Sequence, residues 1–181
     1  RFVAWEIASS RILAKVADRL VVHCQAICSE VANFYQIDQS KIVVVPHGHY
    51  QDWYPPALNQ ETARKNLKIS KDQKIFLYYG RILEYKGVDL LVKAFHRVQD
   101  KDSRLFVLGK PESPDLEYEI RSEASDDPRI ILKLTYVPDK TLIEHICACD
   151  LVVLPYRDIL TSGSAILAMS YSKPVLAPDS G

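Results

Sequence analysis

Short apolar runs alternate along this chain with longer segments in which apolar and polar residues are mixed. The runs are continuously apolar, as in IVVV, LFVL and LVVL, which is typical of strands buried on both faces of a parallel sheet. This pattern predicts seven strands, at residues 19–24, 41–45, 74–79, 104–108, 129–134, 151–154 and 174–177.

Helical spacing appears between these runs. Leu91, Ala94, Phe95 and Val98 lie at positions i, i+3, i+4 and i+7, which predicts a helix over 88–99. Weaker patterns predict further helices at 1–16, 61–67, 140–147 and 164–171. Alternating strands and helices indicate an α/β fold with a doubly wound, Rossmann-like parallel sheet. Ligands of such sheets bind beyond the carboxyl ends of the strands.

Composition narrows the class of protein. The chain has 181 residues, of which 48% are hydrophobic and 25% charged, as in soluble globular proteins. Lys and Arg together number 23, and so do Asp and Glu, so we expect no nucleic-acid partner. No apolar run approaches the roughly 18 residues that a membrane-spanning helix needs.

The two ends of the sequence suggest a fragment of a longer protein. The chain begins with Arg1 and enters a helical pattern at once, and it ends directly after an apolar run. We therefore interpret 1–16 as a leading helix that belongs to a preceding segment, and 17–181 as a domain truncated at its C-terminus.

Two features at predicted strand ends could bind a phosphate. Arg81 and Lys86 follow the third strand, and guanidinium and ammonium groups both bind phosphate oxygens. The run 161–164 (Thr-Ser-Gly-Ser) opens the last helix, where unpaired N–H groups attract anions. Simpler interpretations remain open: solvated charges, pairing of Glu84 with its cationic neighbours, and an ordinary helix cap.

Several other kinds of site lack support. The sequence contains no GxGxxG, no GxxxxGK[ST], no GxSxG and no HExxH motif. Its four cysteines form no CxxC pair, so we expect buried free thiols and no metal site.

Five segments together resemble a known family. They include YYGRILEYKGVDLLVKAFHRV, YVPDKTLIEHICACDLVVLPY and ILAMSYSKPVLAPDSG, and they follow in the family's order. Over about 17–181 the chain resembles the C-terminal half of a GT-B glycosyltransferase of the group 1 (family 4) type.

The resemblance implies a nucleotide-sugar-binding domain that needs no cofactor and no obligatory metal. It assigns the donor diphosphate to Arg81, Lys86, Ser162, Gly163 and Ser164. It assigns Gly48, Gly80 and Thr161 to the loops around the donor, and the nucleobase to the backbone at Tyr136 and Val137.

For the whole protein, the resemblance implies transfer of a sugar, with retention of configuration, in polysaccharide biosynthesis. The acceptor would be a sugar, a glycan or a lipid-linked glycan held by an N-terminal domain that this sequence lacks, so the fragment alone would be inactive. We expect a cytoplasmic protein, with membrane association of the full-length protein left open.

The sequence departs from the family at two positions. Ile159 and Leu167 stand where most members carry glutamates, and Asp158, one residue away, is a candidate sugar contact in their place. Two alternatives therefore stay open. One is a degenerate, non-catalytic nucleotide-binding domain of the same fold, and the other is an unrelated doubly wound epimerase, phosphorylase or regulatory module.

Overall fold

The computed structural model describes residues 2–159 and 161–179. The chain forms two compact units, Arg1–Gly48 and His49–Gly181. The first contains α1 (Phe2–Val16), β1 (Leu20–Val22), α2 (Cys28–Tyr35) and β2 (Ile42–Val44). Strands β1 and β2 pair in parallel, with Leu20 opposite Ile42.

The second unit alternates helices and strands throughout. Its elements are α3 (Gln60–Asn66), β3 (Lys74–Tyr79), α4 (Val88–Phe95), β4 (Ser103–Leu108), α5 (Pro114–Ala124), β5 (Ile130–Lys133), α6 (Asp139–Ala148), β6 (Leu151–Val153), α7 (Gly163–Ser170) and β7 (Val175–Leu176). All five strands are parallel and lie in the order β5-β4-β3-β6-β7. The predicted doubly wound, Rossmann-like sheet is confirmed.

The expected start of a domain at residue 17 stays a prediction. The chain divides into its compact units after Gly48, within that expected domain. The physical reason is that β1 and β2 form a two-stranded sheet of their own, separate from the five-stranded sheet. Two of the seven predicted strands therefore lie outside the main sheet.

Two helices of the structure, α2 and α5, were not predicted, and each buries only two of its residues. In α5 the buried residues are only Ile120 and Ala124, and in α2 only Cys28 and Ala32. The predicted helix over 88–99 ends at Phe95, and the chain continues in tight turns in which Val98 N–H donates to Phe95 C=O.

The core of the second unit surrounds its central strand. Leu77 and Tyr78 of β3 are completely buried, as are Leu105 and Val107 of the neighbouring β4. Helices cover both faces of the sheet, which explains why the strand sequences are apolar without alternation. The faces of the sheet are therefore unavailable to a ligand, whereas the loops at the strand ends remain accessible.

All four cysteines are free thiols, and Cys28, Cys147 and Cys149 are buried. Burial raises the pKa of Cys149 to about 12, which suppresses its reactive thiolate. We expect iodoacetamide to modify the partly exposed Cys24 first and the buried thiols only after unfolding, as read by mass spectrometry of peptides. Rapid labelling of Cys149 in the native protein would contradict this expectation.

Candidate functional site

The order of the strands reverses between β3 and β6. From β3 the chain proceeds outward to β4 and β5, and from β6 it proceeds outward to β7 on the other side. At such a switch point, the loops that follow the two central strands diverge and leave a crevice. One predicted phosphate feature follows β3 and the other follows β6, so both lie at this crevice.

The two features contact each other. The Tyr79 hydroxyl, at the end of β3, donates a 2.6 Å hydrogen bond to the carbonyl of Ser164 in the first turn of α7. Gly80 follows with φ +118, and a Cβ on it would lie 3.4 Å from Ser164 Oγ. Gly80 and Ser164 are thus neighbours, although the sequence separates them widely.

Lys86 ends a short 3-10 turn, Glu84–Lys86, just before α4. Its ammonium lies 5.3 Å from the centroid of the Tyr156 ring. Within the part of the chain that the structure describes, neither Arg81 nor Lys86 forms an ion pair. Glu84 does not pair with them: its N–H donates to the Glu112 carboxylate. Both cations are therefore available to an external anion.

The electrostatics of this turn favour an anion. Burial lowers the pKa of Lys86, and the positive charge of nearby Arg81 lowers it further. Arg81 and Lys86 repel each other, and burial in a medium of low dielectric constant disfavours the charge on Lys86. A bound diphosphate would stabilise both positive charges.

The start of α7 supplies N–H groups to the same region. Ser162 is the N-cap: its Oγ accepts a hydrogen bond from Ala165 N at 3.1 Å. The capping interpretation of this hydroxyl is therefore correct, and any ligand would meet the first-turn N–H groups instead. Gly163 packs closely, since a Cβ there would lie 3.1 Å from the Tyr50 hydroxyl, and Thr161 is exposed.

The residues assigned to the nucleobase lie beside the turn that carries Arg81 and Lys86. Tyr136 and Val137 follow β5 and line a pocket of about 220 Å³ together with Gly80 and Arg81. The Tyr136 side chain is 74% exposed. The expected sites for the base and for the diphosphate are thus contiguous along the carboxyl edge of the sheet.

The remaining assignments find less support. Asp158 is exposed, and among the described residues it has no hydrogen-bond or ion-pair partner, so its role as a sugar contact stays a prediction. Gly48 is the last residue of the first unit, and its assignment also stays untested. Leu167 is buried in the core and Ile159 packs against it, which explains why both positions are apolar here.

The sequence analysis missed a network that joins the two loops. Arg157 donates to the Asp89 carboxylate at 2.6 Å and to the Glu84 carbonyl, while its N–H donates to Tyr85 C=O. Burial alone would raise the pKa of Asp89, but the Arg157 guanidinium holds it below its usual value. The sequence signal was a charged residue, Arg157, a few residues after the apolar run 151–154.

The described ranges contain neither a group of metal-ligating side chains nor a membrane-spanning helix. Within residues 2–159 and 161–179, no three His, Cys, Asp or Glu side chains are grouped as metal ligands would be. Of the helices in the same ranges, none has the length and apolar character needed to cross a bilayer.

Comparison with known proteins gives a consistent result. A family model described as "Glycosyl transferases group 1" matches residues 59–181. A GDP-mannose:glycolipid 4-beta-D-mannosyltransferase of Xanthomonas campestris pv. campestris is 36% identical over 132 residues, which cover 73% of this chain and 35% of the relative. A D-inositol 3-phosphate glycosyltransferase of Nocardia farcinica is 30% identical, over 99% of this chain and 41% of the relative.

Solved structures with lower identity share the fold. Anabaena Alr3699/HepE in complex with UDP-glucose matches with a TM-score of 0.81 at 17% identity, over 97% of this chain and 49% of that one. Sucrose-phosphate synthase from Thermosynechococcus elongatus matches with a TM-score of 0.77 at 22% identity, over 97% of this chain and 44% of that one. The chain thus spans less than half the length of these proteins.

Proposed function

The chain belongs to the group 1 glycosyltransferases, and we propose that its second unit binds a nucleoside-diphosphate sugar at the crevice between β3 and β6. One observation carries the proposal: Arg81 and Lys86 lie at this crevice without a carboxylate partner among the described residues. The start of α7 faces the same region through the contact between Tyr79 and Ser164.

The chemistry of sugar transfer suits this arrangement. The bond between the anomeric carbon and a diphosphate oxygen breaks, an acceptor oxygen bonds to that carbon, and negative charge grows on the leaving nucleoside diphosphate. Fixed cations and helix N–H groups stabilise such charge before it develops, because they need no reorganisation during the reaction. We propose that Arg81 and Lys86 do this without a metal, and that the acceptor binds to the remainder of a longer protein.

We propose GDP as the first nucleotide to test, since the Xanthomonas relative is named for GDP-mannose. Calorimetric titration of the chain with GDP, UDP and ADP in the absence of metal should show one of them binding with a Kd of about 10 µM. The matching nucleoside monophosphate should bind more weakly, because it lacks the second phosphate. A folded chain that binds none of the three would contradict the proposal.

The stereochemical course has two candidates. The family resemblance implies retention, which yields an α-mannoside from α-linked GDP-mannose. The name of the Xanthomonas relative specifies a β-mannoside, which inversion of the same donor would yield. Transfer by the full-length protein, followed by NMR of the anomeric C–H coupling in the product, distinguishes the two: an α product supports retention and a β product overturns it.

We further propose an active enzyme of polysaccharide biosynthesis rather than a degenerate domain. The apolar residues Ile159 and Leu167 motivate the degenerate alternative, since they remove two acidic groups from the region after β6. Sugar transfer or donor hydrolysis by the full-length protein would exclude that alternative, and nucleotide binding without either would support it. The family match removes the third alternative, an unrelated doubly wound module.

A further inference from the structure

Tyr156 lies between the two halves of the proposed diphosphate site. Its side chain is only 4% exposed, although it follows β6 at the edge of the crevice. One face of its ring meets the ammonium of Lys86, 5.3 Å from the ring centroid. Its hydroxyl shares a 2.7 Å hydrogen bond with Ser162 Oγ, at the cap of α7. A single side chain thus contacts both elements.

The contact with the ring has a specific electrostatic consequence. An aromatic face attracts a cation by about 0.5–2 kcal/mol but does not neutralise its charge, as a carboxylate would. The ring therefore holds the Lys86 ammonium in place and leaves its outer side available to a phosphate. A phosphate bound on that outer side would leave the ring contact in place.

The hydroxyl of Tyr156 orders the start of α7. Burial raises the pKa of Tyr156, and hydrogen bonding with the Ser162 and Ser164 side chains partly offsets that effect. Ser162 Oγ in turn accepts from Ala165 N. The hydroxyl therefore restrains the first turn of α7, in which N–H groups without an intrahelical partner could meet a ligand.

Backbone contacts on both sides of Tyr156 fix its distance from Lys86. A Cβ on Gly87 would lie 2.1 Å from the carbonyl oxygen of Pro155, so these two segments touch directly. On the other side, Arg157 N–H donates to Tyr85 C=O at 2.8 Å. The geometry is set by packed backbone and does not depend on a surface rotamer.

We propose that Tyr156 is a positioning residue for the donor diphosphate, which orients Lys86 through its ring and the N-terminus of α7 through its hydroxyl. The inference rests on the proposed function, since it presupposes that a diphosphate binds here. It adds a residue that neither the sequence motifs nor the family resemblance assigned.

The test compares variants of Tyr156 in two backgrounds by calorimetry with GDP, or with whichever of GDP, UDP and ADP the wild type binds. Tyr156→Leu, which removes ring and hydroxyl, should weaken binding at least tenfold, whereas Tyr156→Phe, which keeps the ring, should weaken it about two- to fivefold. In a Lys86→Met background, the further loss from Tyr156→Leu should shrink to threefold or less, because the ring then has no ammonium to hold.

A ring-fluorinated phenylalanine at position 156 separates electrostatics from packing. It has nearly the size of phenylalanine but a weaker aromatic quadrupole, so it should bind GDP about two- to fivefold more weakly than Tyr156→Phe. This comparison also serves if Tyr156→Leu fails to fold. Tyr171→Leu is the matched control: Tyr171 is a buried tyrosine whose hydroxyl donates to Pro55 C=O, and its loss should leave the nucleotide affinity unchanged.

The outcomes separate this inference from the proposed function. A wild-type chain that binds none of the three nucleotides overturns the proposed function. If the wild type binds and Lys86→Met weakens binding, equal losses from Tyr156→Leu in both backgrounds overturn the inference. Equal or stronger binding by the fluorinated protein than by Tyr156→Phe also overturns it.

Discussion

Replacement of Lys86 by methionine should weaken the binding of GDP by about 10- to 100-fold. Methionine is unbranched and only one heavy atom shorter than lysine, and it lacks both the charge and the N–H donors of the ammonium. A charge-assisted hydrogen bond to a phosphate contributes about 1.5–3 kcal/mol, which corresponds to that loss. Calorimetric titration of both proteins measures the effect directly, and equal affinities would contradict the assignment of Lys86 to the diphosphate.

The pH dependence of binding should change with the same substitution. Burial and the charge of Arg81 lower the pKa of Lys86, and only the protonated amine attracts phosphate. The affinity of the wild type should therefore fall as the pH rises through this lowered pKa. This fall should occur at a lower pH than for a lysine with an unperturbed pKa. The methionine variant should lack this step, whereas an affinity that falls in parallel in both proteins would contradict the role of Lys86.

Stability provides the control for folding. Burial and the Arg81 charge disfavour the charged amine of Lys86 in the folded chain, whereas the Tyr156 ring attracts it. These two effects oppose each other, so the Tm of Lys86→Met should stay close to that of the wild type, which separates a loss of binding from a loss of folding. Lys93→Met, on the outer face of α4 beside Glu119, should leave binding unchanged.

Gly109→Ala should cost about 3–5 kcal/mol of the free energy of unfolding. A Cβ at Gly109 would lie 1.8 Å from the carbonyl oxygen of Gly80 and 2.9 Å from its carbonyl carbon. The backbone also has φ +155 at this position, which side chains rarely adopt. The two segments cannot move apart easily to relieve this clash, because the N–H of Gly80 donates a 3.0 Å hydrogen bond to the carbonyl of Leu108.

Urea unfolding of the wild type and the variant measures this cost. Gly48→Ala is the matched control, because a Cβ at Gly48 would have nothing within 4 Å, and its free energy of unfolding should stay within about 0.5 kcal/mol of the wild type. Gly109→Ala should also bind GDP more weakly than the wild type, because Gly80 directly precedes the turn that carries Arg81 and Lys86. A loss below about 1 kcal/mol would show that the two strand ends can separate.

The sequence by itself determined the strands and the surface on which to look for a site. Strands buried on both faces need continuous apolar runs, so all seven were visible, including IVVV in β2 and LVVL around β6. Parallel strands direct their following loops to one edge, so Arg81, Lys86 and the start of α7 could be proposed as neighbours before any coordinates. Helix α5 was not predicted from the sequence, because few of its side chains are buried and its residues are mostly polar.

Only the tertiary structure decided which strands pair and which side chains meet. The apolar runs of β1 and β2 look like those of β3 and β6, yet β1 and β2 form a separate sheet. Tyr156 reads as one more aromatic after a strand, and its contact with Lys86 exists only because β6 lies beside β3. The physical reason is that periodicity reports the burial of each segment, whereas pairing depends on hydrogen bonds and packing between segments far apart in the chain.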